Sequence, residues 1–202
     1  MDGAVLADEH GKTTVLRGLS THGLAWFPDF VDESFFLQLS EDWDCSLIRL
    51  AMYSDVYCRS GKDRQDSLSL MKKGIDAAIA ADMYVIADWH ILNDGNPLTH
   101  REEAAEFFRT IAGEYADTPN ILYEICNEPN GGTTWADIRS YAQEIIPDLH
   151  TGSPDVRSVC HTDLPLQLAG APGVLDPHVS HAGILPSSRQ RQQNLHKMER
   201  NL

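Results

Sequence analysis

The sequence has 202 residues, of which 42% are hydrophobic and 23% are charged, as in ordinary globular proteins. That length is enough for one domain with a sizeable core, or for one domain followed by a tail. The formal net charge of −14 argues against nucleic acids and anionic membrane surfaces as partners.

Apolar runs and cysteine spacing further limit the classes of protein to which the sequence could belong. No apolar run approaches the roughly 20 residues that cross a bilayer, so we expect no membrane span. The amino terminus lacks a basic region followed by an apolar stretch, so we expect no signal peptide in this chain. The four cysteines show no C-x-x-C spacing; Cys126 is expected to be a small core residue, and a bridge between Cys45 and Cys58 is left open.

Strand and helix patterns alternate along the first 150 residues. The first strand ends in a polar loop at residues 20–23, and each later strand is followed by a helix with apolar residues at helical spacing. The caps we expect are Asp32 or Asp29 for the first helix, Thr99 with Glu102 for the third, and Thr134 or Thr133 for the fourth. The predicted strands are 46–52, 84–89 and 120–126, and the predicted helices are 31–43, 67–81, 99–115 and 134–149.

This alternation predicts an α/β fold. Strands that are almost continuously apolar and alternate with helices form parallel sheets covered by helices. Four such units fit either a small open sheet or half of an eightfold β/α barrel, which needs about 250 residues. In both folds the functional residues lie at the carboxyl ends of the strands. Polar side chains gather at those ends in this sequence: His22, Arg49, Tyr53, His90, Asn127 and Glu128.

The segment Tyr123–Asn130 stands out among these ends. It begins as a strand and stops at Pro129, which has no amide hydrogen to continue a sheet. Glu128 is therefore expected at the end of a buried strand, facing an opening. A buried carboxyl group at such a place is a candidate general acid, because burial favours its protonated form.

Four motifs at these strand ends resemble glycoside hydrolase family 5, most closely its bacterial endo-β-1,4-glucanases (cellulases). The resemblance covers roughly residues 5–150 and is carried by the segments 16–26, 48–53, 85–92 and 121–131, the last with its Asn-Glu-Pro. It implies a (β/α)8 TIM barrel, of which this chain would hold about four βα units, and retaining hydrolysis by two glutamates. It implies no metal and no cofactor.

The resemblance also implies roles for individual residues. Glu128 matches the general acid/base, and Asn127 matches the residue that hydrogen-bonds the 2-hydroxyl of the sugar. Arg49 matches the arginine that supports the nucleophilic carboxylate. A guanidinium facing a carboxylate would fix its orientation, in agreement with this role. A second interpretation of Arg49 is a buried ion-pair partner of Asp88.

A second set of residues matches the family's substrate-binding side chains. His22 and His90 match histidines that line the subsite where the bond is cut, Trp26 matches a sugar-stacking aromatic residue, and Tyr53 lies at the same strand ends. Trp26, like Trp89, could instead be an aromatic residue of the core. His22 and His90 could in principle bind a metal with Asp88, although no motif such as H-E-x-x-H supports this.

The nucleophilic glutamate has no counterpart in the sequence. Residues 151–202 offer Asp155, Asp163, Asp176 and Glu199, none of them in the family's Ser-Glu-Trp-Gly context. Five prolines and little periodicity predict an irregular tail there, disordered or translated out of frame. The expected domains are a truncated barrel over 1–150 and this tail over 151–202.

The functional hypothesis is a fragment of a retaining endo-β-1,4-glucanase with reduced or no activity. The alternative is a non-catalytic carbohydrate-binding remnant or pseudoenzyme. Its partner would be a β-1,4-linked glucan, with cellulose, lichenan, mannan and xylan left undistinguished, and open sheet edges leave room for self-association. The parent enzyme would act outside the cell, because polymeric cellulose cannot enter one.

Overall fold

The computed structural model describes residues 13–150 and 157–159, which form a five-stranded parallel sheet with the order β1-β2-β3-β4-β5. Each strand pairs with the next one along the chain, as in the wall of a β/α barrel. The strands are Gly18–Gly23 (β1), Leu47–Tyr53 (β2), Tyr84–His90 (β3), Ile121–Glu124 (β4) and Arg157–Val159 (β5).

Helices connect the strands and cover one face of the sheet. Two 3₁₀ helices, Pro28–Phe30 and Pro97–His100, precede α1 and α4, respectively. Among the described residues, none of the helices combines the length and apolar character that a bilayer crossing requires. The α-helices are Glu33–Trp43 (α1), Ser54–Tyr57 (α2), Gly61–Ala80 (α3), Arg101–Glu114 (α4) and Trp135–His150 (α5).

The two faces of the sheet differ in chemistry. The register pairs Leu50 with Ala87 and Ala87 with Tyr123, and these residues belong to the core that packs under the helices. Because side chains alternate along a strand, the residues between them point to the other face. That inner face carries Arg49, Ala51, Tyr53, Asp88, His90 and Glu124. The alternation of side chains along each strand thus places the apolar core on one face of the sheet and the polar residues on the other.

Local signals explain where most helices begin. Asp32 caps α1 as predicted, its side chain accepting a hydrogen bond from the amide of Ser34. Ser60 caps α3 and places its start at Gly61, six residues before the predicted one. The first turns of α3 are polar and face solvent, so apolar periodicity could not reveal them.

The predicted capping box of α4 is wrong. Thr99 lies inside the 3₁₀ helix, and its hydroxyl donates to the carbonyl of Asp94. The side chain of Asn96 caps this short helix by accepting from the amide of Leu98, and α4 follows from Arg101. At α5 the prediction of Thr134 is confirmed by reciprocal hydrogen bonds between Thr134 and Asp137.

A fifth strand corrects the prediction of an irregular tail from residue 151. Arg157–Val159 pairs in parallel with Leu122–Glu124, which extends the sheet beyond the four expected units. Only three residues pair, two of them are polar, and a proline lies just before them, so no strand pattern is visible in the sequence. The remainder of that predicted tail, 151–156 and 160–202, lies outside the described residues.

The bridge between Cys45 and Cys58 that the sequence left open is not formed. Both residues are free thiols.

Two helical glycines give a matched test of packing. A Cβ at Gly74 in α3 would lie 2.7 Å from Leu50 Cδ1 and 3.0 Å from Val31 Cγ1, whereas a Cβ at Gly113 in α4 would meet nothing within 4 Å. We expect Gly113→Ala to raise the free energy of unfolding by about 0.5–1 kcal/mol, since alanine favours helix. We expect Gly74→Ala to lower the free energy of unfolding by about 1–3 kcal/mol, because the added methyl group would overpack the core there. Chemical denaturation would measure both, and equal stabilisation by the two changes would contradict this packing.

Candidate active site

One guanidinium group on the inner face of the sheet joins β2, β3 and β4. Arg49 Nε donates to Glu124 Oε2 at 2.7 Å, and Arg49 Nη2 donates to Glu124 Oε1 at 2.8 Å. The same Nη2 lies 2.9 Å from Asp88 Oδ2. Asp88 and Glu124 oppose each other in the register of β3 and β4, and both are buried. The Arg49–Asp88 ion pair that the sequence left open is therefore present, together with a bidentate pair to Glu124.

Asn127 extends this network beyond the end of β4. Its side-chain oxygen accepts a third hydrogen bond from Arg49 Nη2 at 3.0 Å, and its amide nitrogen donates to the carbonyl of Ile91 at 3.2 Å. Its backbone amide donates to the carbonyl of Trp89 at 3.1 Å. Asn127 is thus fixed to β2 and β3 at once, and its contact with a sugar hydroxyl stays a prediction.

Asp88 is the most deeply buried member of the network. Its Oδ2 lies 2.7 Å from His90 Nδ1, while its Oδ1 has no hydrogen-bond partner among the described residues. Burial raises the pKa of Asp88 to about 6; Glu124 adds to the shift, and His90 and Arg49 oppose it. One guanidinium therefore serves two buried carboxylates, and the pKa of one of them, Asp88, is raised.

Four aromatic rings form a continuous surface beside this network, called here the aromatic wall: His22, Trp26, Tyr53 and His90. Tyr53 stacks on His90 with ring centroids 4.2 Å apart, and Trp26 lies 4.6 Å from Tyr53 and 4.8 Å from His22. Trp26 is 47% exposed, which is not the position of a core residue. The structure thus brings together all four residues that the sequence assigned to substrate binding.

A bulge aims His22 into the aromatic wall. Three steps along β1, from Ser20 to Gly23, oppose two steps along β2, from Arg49 to Ala51. His22 has a positive φ of 57°, and its Nδ1 accepts from the amide of Gly23 at 2.9 Å. In the neutral imidazole the hydrogen therefore lies on Nε2. A Cβ at Gly23 would come within 2.9 Å of the Trp26 ring, so this glycine permits the close approach of that ring.

Glu128 lies on the loop that follows β4, and its side chain is exposed. The sequence predicts that it faces an opening at the end of a buried strand, and the structure exposes it there at a backbone with a positive φ of 26°. Its carboxylate makes no hydrogen bond or ion pair with any residue that the structure describes. Burial, then Asp88, raises the pKa of Tyr53, and Glu128 adds to this shift, so its carboxylate is within electrostatic reach of the aromatic wall.

The loop of Glu128 is held by the loop that follows β3. The amide of Asn130 donates to the carbonyl of Gly95 at 2.9 Å, and its side chain donates to the carbonyls of Leu92 and Glu128, both at 3.1 Å. Thr133 also donates to the Gly95 carbonyl, at 3.0 Å. Such bonds fix an unfavourable backbone conformation at a functional position.

Trp89 is the second tryptophan for which the sequence left a core position open. Its ring is fully buried and packs against Tyr57 and Phe107, with centroids 5.2 Å and 5.5 Å away. It points to the outer face, opposite to its neighbours Asp88 and His90, as strand alternation requires. Trp89 is a core residue.

Comparisons with known proteins agree with this arrangement. The model of the family "Cellulase (glycosyl hydrolase family 5)" matches residues 7–160, ten residues beyond the resemblance seen in the sequence. Endoglucanase A of Butyrivibrio fibrisolvens is 37% identical over 205 residues, covering 100% of this chain and 47% of that protein. An endoglucanase of Clostridium saccharobutylicum is 44% identical over 156 residues, covering 76% of this chain and 34% of that protein. The chain thus spans about half the length of such relatives, or less.

Solved structures give the same result. The catalytic domain of an endoglucanase from Thermobifida fusca superposes with a TM-score of 0.70 at 42% identity, covering 76% of this chain and 51% of that domain. The same domain is also known in complex with cellotetraose. The fold described above is therefore part of the TIM barrel of such catalytic domains.

Replacing Arg49 tests how far the network depends on its one cation. We expect Arg49→Met to lower the free energy of unfolding by about 3–5 kcal/mol, because two buried carboxylates lose their partner. Arg59→Met is the matched control: it breaks the exposed pair with Asp55, which contributes at most about 1 kcal/mol. Urea unfolding of both variants measures the difference, and similar losses would show that the buried network does not stabilise the fold.

The raised pKa of Asp88 predicts a specific pH dependence. Its folded value of about 6 lies above the ordinary 3.8, so ionisation of Asp88 opposes folding. That penalty is absent below pH 3.8, grows as the pH rises, and is complete above about 6. The free energy of unfolding of Asp88→Asn, minus that of the parent chain, should therefore increase over this interval, by up to about 3 kcal/mol.

Asp137→Asn serves as the control for this pH series. Hydrogen bonds from Thr134 lower the pKa of Asp137, so its contribution to stability is present above its ordinary pKa and is lost as the pH falls. The difference for Asp137→Asn should change in the opposite direction and only in acid. A flat difference for Asp88→Asn between pH 4 and 6 would refute the raised pKa.

Proposed function

This chain belongs to glycosyl hydrolase family 5, the cellulases, and we propose that it carries the acid/base half of a retaining endo-β-1,4-glucanase site. The observation that supports this most directly is the position of Glu128. Its exposed carboxylate follows β4 directly, beside the Arg49 network and within electrostatic reach of the aromatic wall. A sugar lying on the wall would present its glycosidic oxygen to a carboxyl group that no described residue engages.

The proposed chemistry divides between Glu128 and its surroundings. Glu128 would first protonate the leaving-group oxygen and later take a proton from the water that attacks the glycosyl-enzyme. Asn127, oriented by Arg49, would hold the sugar hydroxyl next to the reacting carbon. His90 would keep its tautomer and orientation through Asp88, which binds its Nδ1.

None of the described residues is proposed as the nucleophile. Retaining hydrolysis needs a second carboxylate about 5–5.5 Å from the acid. Asp88 and Glu124 are both bound to Arg49 on the inner face, and releasing either one would leave a buried charge without its partner. We therefore expect the 202-residue chain by itself to hydrolyse β-glucan slowly or not at all. Binding without hydrolysis is the second candidate function, and the exposed ring of Trp26 favours it.

The substrate proposal rests on the aromatic wall and on a relative. The Thermobifida fusca domain is known with cellotetraose bound, and this chain shares half of that domain. Flat aromatic faces such as Trp26 suit the apolar faces of pyranose rings. We accordingly propose a β-1,4-linked glucan as the substrate, an extracellular site of action for the parent enzyme, and self-association of the isolated chain through its open sheet edges.

Sugar binding by the isolated chain tests the proposal. We expect titration calorimetry to show cellotetraose binding that Trp26→Ala weakens by at least about tenfold, a loss of about 1.4 kcal/mol. Trp43→Ala is the control, because Trp43 is 71% exposed on α1 and is not part of the aromatic wall. The 202-residue chain should hydrolyse carboxymethyl-cellulose no faster than its Glu128→Gln variant does. Equal losses in the two tryptophan variants would contradict the proposed binding surface.

A chimera tests the role of Glu128 itself. The chain would be joined after Val159 to the complementary half of the Thermobifida fusca catalytic domain. We expect hydrolysis that Glu128→Gln reduces by at least about 100-fold on cellulose, but much less on an aryl cellobioside whose leaving group needs no protonation. An equal loss on both substrates would show that Glu128 is not the acid.

A further inference from the structure

A second cluster of ligand-type side chains lies outside the aromatic wall and the Arg49 network. Cys58 follows α2, His100 ends the second 3₁₀ helix, and Glu103 lies in the first turn of α4. One sulfur, nitrogen or oxygen atom from each lies within 4.8 Å of the other two. All three residues are half-buried. The segments that follow β2 and β3 thus bring Cys58 close to His100 and Glu103, which are themselves one helical turn apart.

The ligand atoms of this cluster are not used elsewhere. His100 Nδ1 and Glu103 Oε2 are 3.9 Å apart, which is too long for a hydrogen bond. Although His100 occupies the N-cap of α4, its side chain makes no capping bond. Within the part of the chain that the structure describes, none of the three side chains has a hydrogen-bond partner. Half-buried polar groups usually have one.

The electrostatic surroundings favour a cation. Three carboxylates act on the Cys58 sulfur, those of Glu103, Asp94 and Asp55, against the single guanidinium of Arg64. Arg64 is itself paired with Glu106 at 2.7 Å. Asp55 is likewise paired with Arg59, so the carboxylates of Glu103 and Asp94 supply the negative charge that a divalent ion at the cluster would meet.

Cys58 is poorly suited to redox chemistry or nucleophilic attack. Burial raises the pKa of Cys58 to about 12, and Glu103 adds to the shift. Reactive cysteines have lowered pKa values, because the thiolate is the reacting species. A metal ion would have to displace the thiol proton to solvent, as it does at every thiolate site.

We propose that Cys58, His100 and Glu103 form a binding site for one Zn²⁺ ion. Thiolate, imidazole and carboxylate are the three ligand types that Zn²⁺ accepts, and a water molecule would complete a tetrahedron. Ligands of a tetrahedral zinc ion lie roughly 3.4–3.6 Å from one another, so side-chain rotations that close the cluster by about 1 Å would suffice. Oxygen-seeking ions such as Mg²⁺ and Ca²⁺ are disfavoured by the sulfur and nitrogen ligands.

The consequence is a structural clamp behind the active site. The ion would join the ends of α2 and the second 3₁₀ helix to α4. These segments follow β2 and β3, whose last residues, Tyr53 and His90, stack in the aromatic wall. Zinc would therefore stabilise the fold and the spacing of those two loops while remaining apart from the reacting atoms.

Cobalt substitution and thermal unfolding of the 202-residue chain test this site. We expect one equivalent of Co²⁺ to produce thiolate-to-metal charge-transfer absorption, Zn²⁺ to displace it, and excess Zn²⁺ to raise the melting temperature. Cys58→Ser should abolish the absorption, and Glu103→Gln should weaken Zn²⁺ binding by at least about tenfold. Mg²⁺ at the same concentration should produce neither effect.

Matched variants separate this site from other ligands in the chain. Cys45→Ser and Glu102→Gln should retain the absorption and the affinity, because Cys45 and Glu102 lie outside the cluster. Glu103→Gln, at a half-buried helix position, keeps the test valid even if Cys58→Ser fails to fold. Absorption that survives in Cys58→Ser, an affinity unchanged in Glu103→Gln, or a loss shared by the controls would overturn the proposal.

Discussion

The structure depends on one guanidinium group between two buried carboxylates. A charge removed from water is tolerated only when it is paired and hydrogen-bonded, and Arg49 meets this condition for Asp88 and Glu124 together. The three residues come from three neighbouring strands, so the network also joins β2, β3 and β4 on the inner face. Burial raises the pKa of Asp88, and Glu124 adds to the shift because one positive charge cannot fully compensate two negative ones.

That constraint extends outward to the functional residues. Arg49 holds Asn127, which precedes Glu128, and Asp88 holds His90, which stacks on Tyr53. Asn127 and His90 therefore each contact a side chain that cannot move without exposing or unpairing a buried charge. Preorganisation of this kind is what a site needs to stabilise developing charge.

The sequence could predict that polar residues gather at these strand ends, because core packing does not account for polar residues directly after apolar strands. It offered the pairing of Arg49 with Asp88 as one of two interpretations, and the structure shows that pair. It could not predict the bulge that aims His22, which depends on pairing between β1 and β2, nor the positive φ of Glu128, whose carbonyl accepts a hydrogen bond from Asn130. The cluster of Cys58, His100 and Glu103 was hidden for the same reason: only tertiary contact brings its members together.

Strand alternation separates the stability of this fold from its chemistry. The outer residues of each strand complete an apolar core with the helices, whereas Leu47, Ile86 and Leu122 on the inner face remain half-buried. Folding free energy therefore comes mainly from the face that the helices cover, whereas the described residues cover the face of the Arg49 network less completely. The order of Asn127 and His90 does not depend on residues beyond this sheet, because the contacts described for them join β2, β3 and the loops that follow β3 and β4.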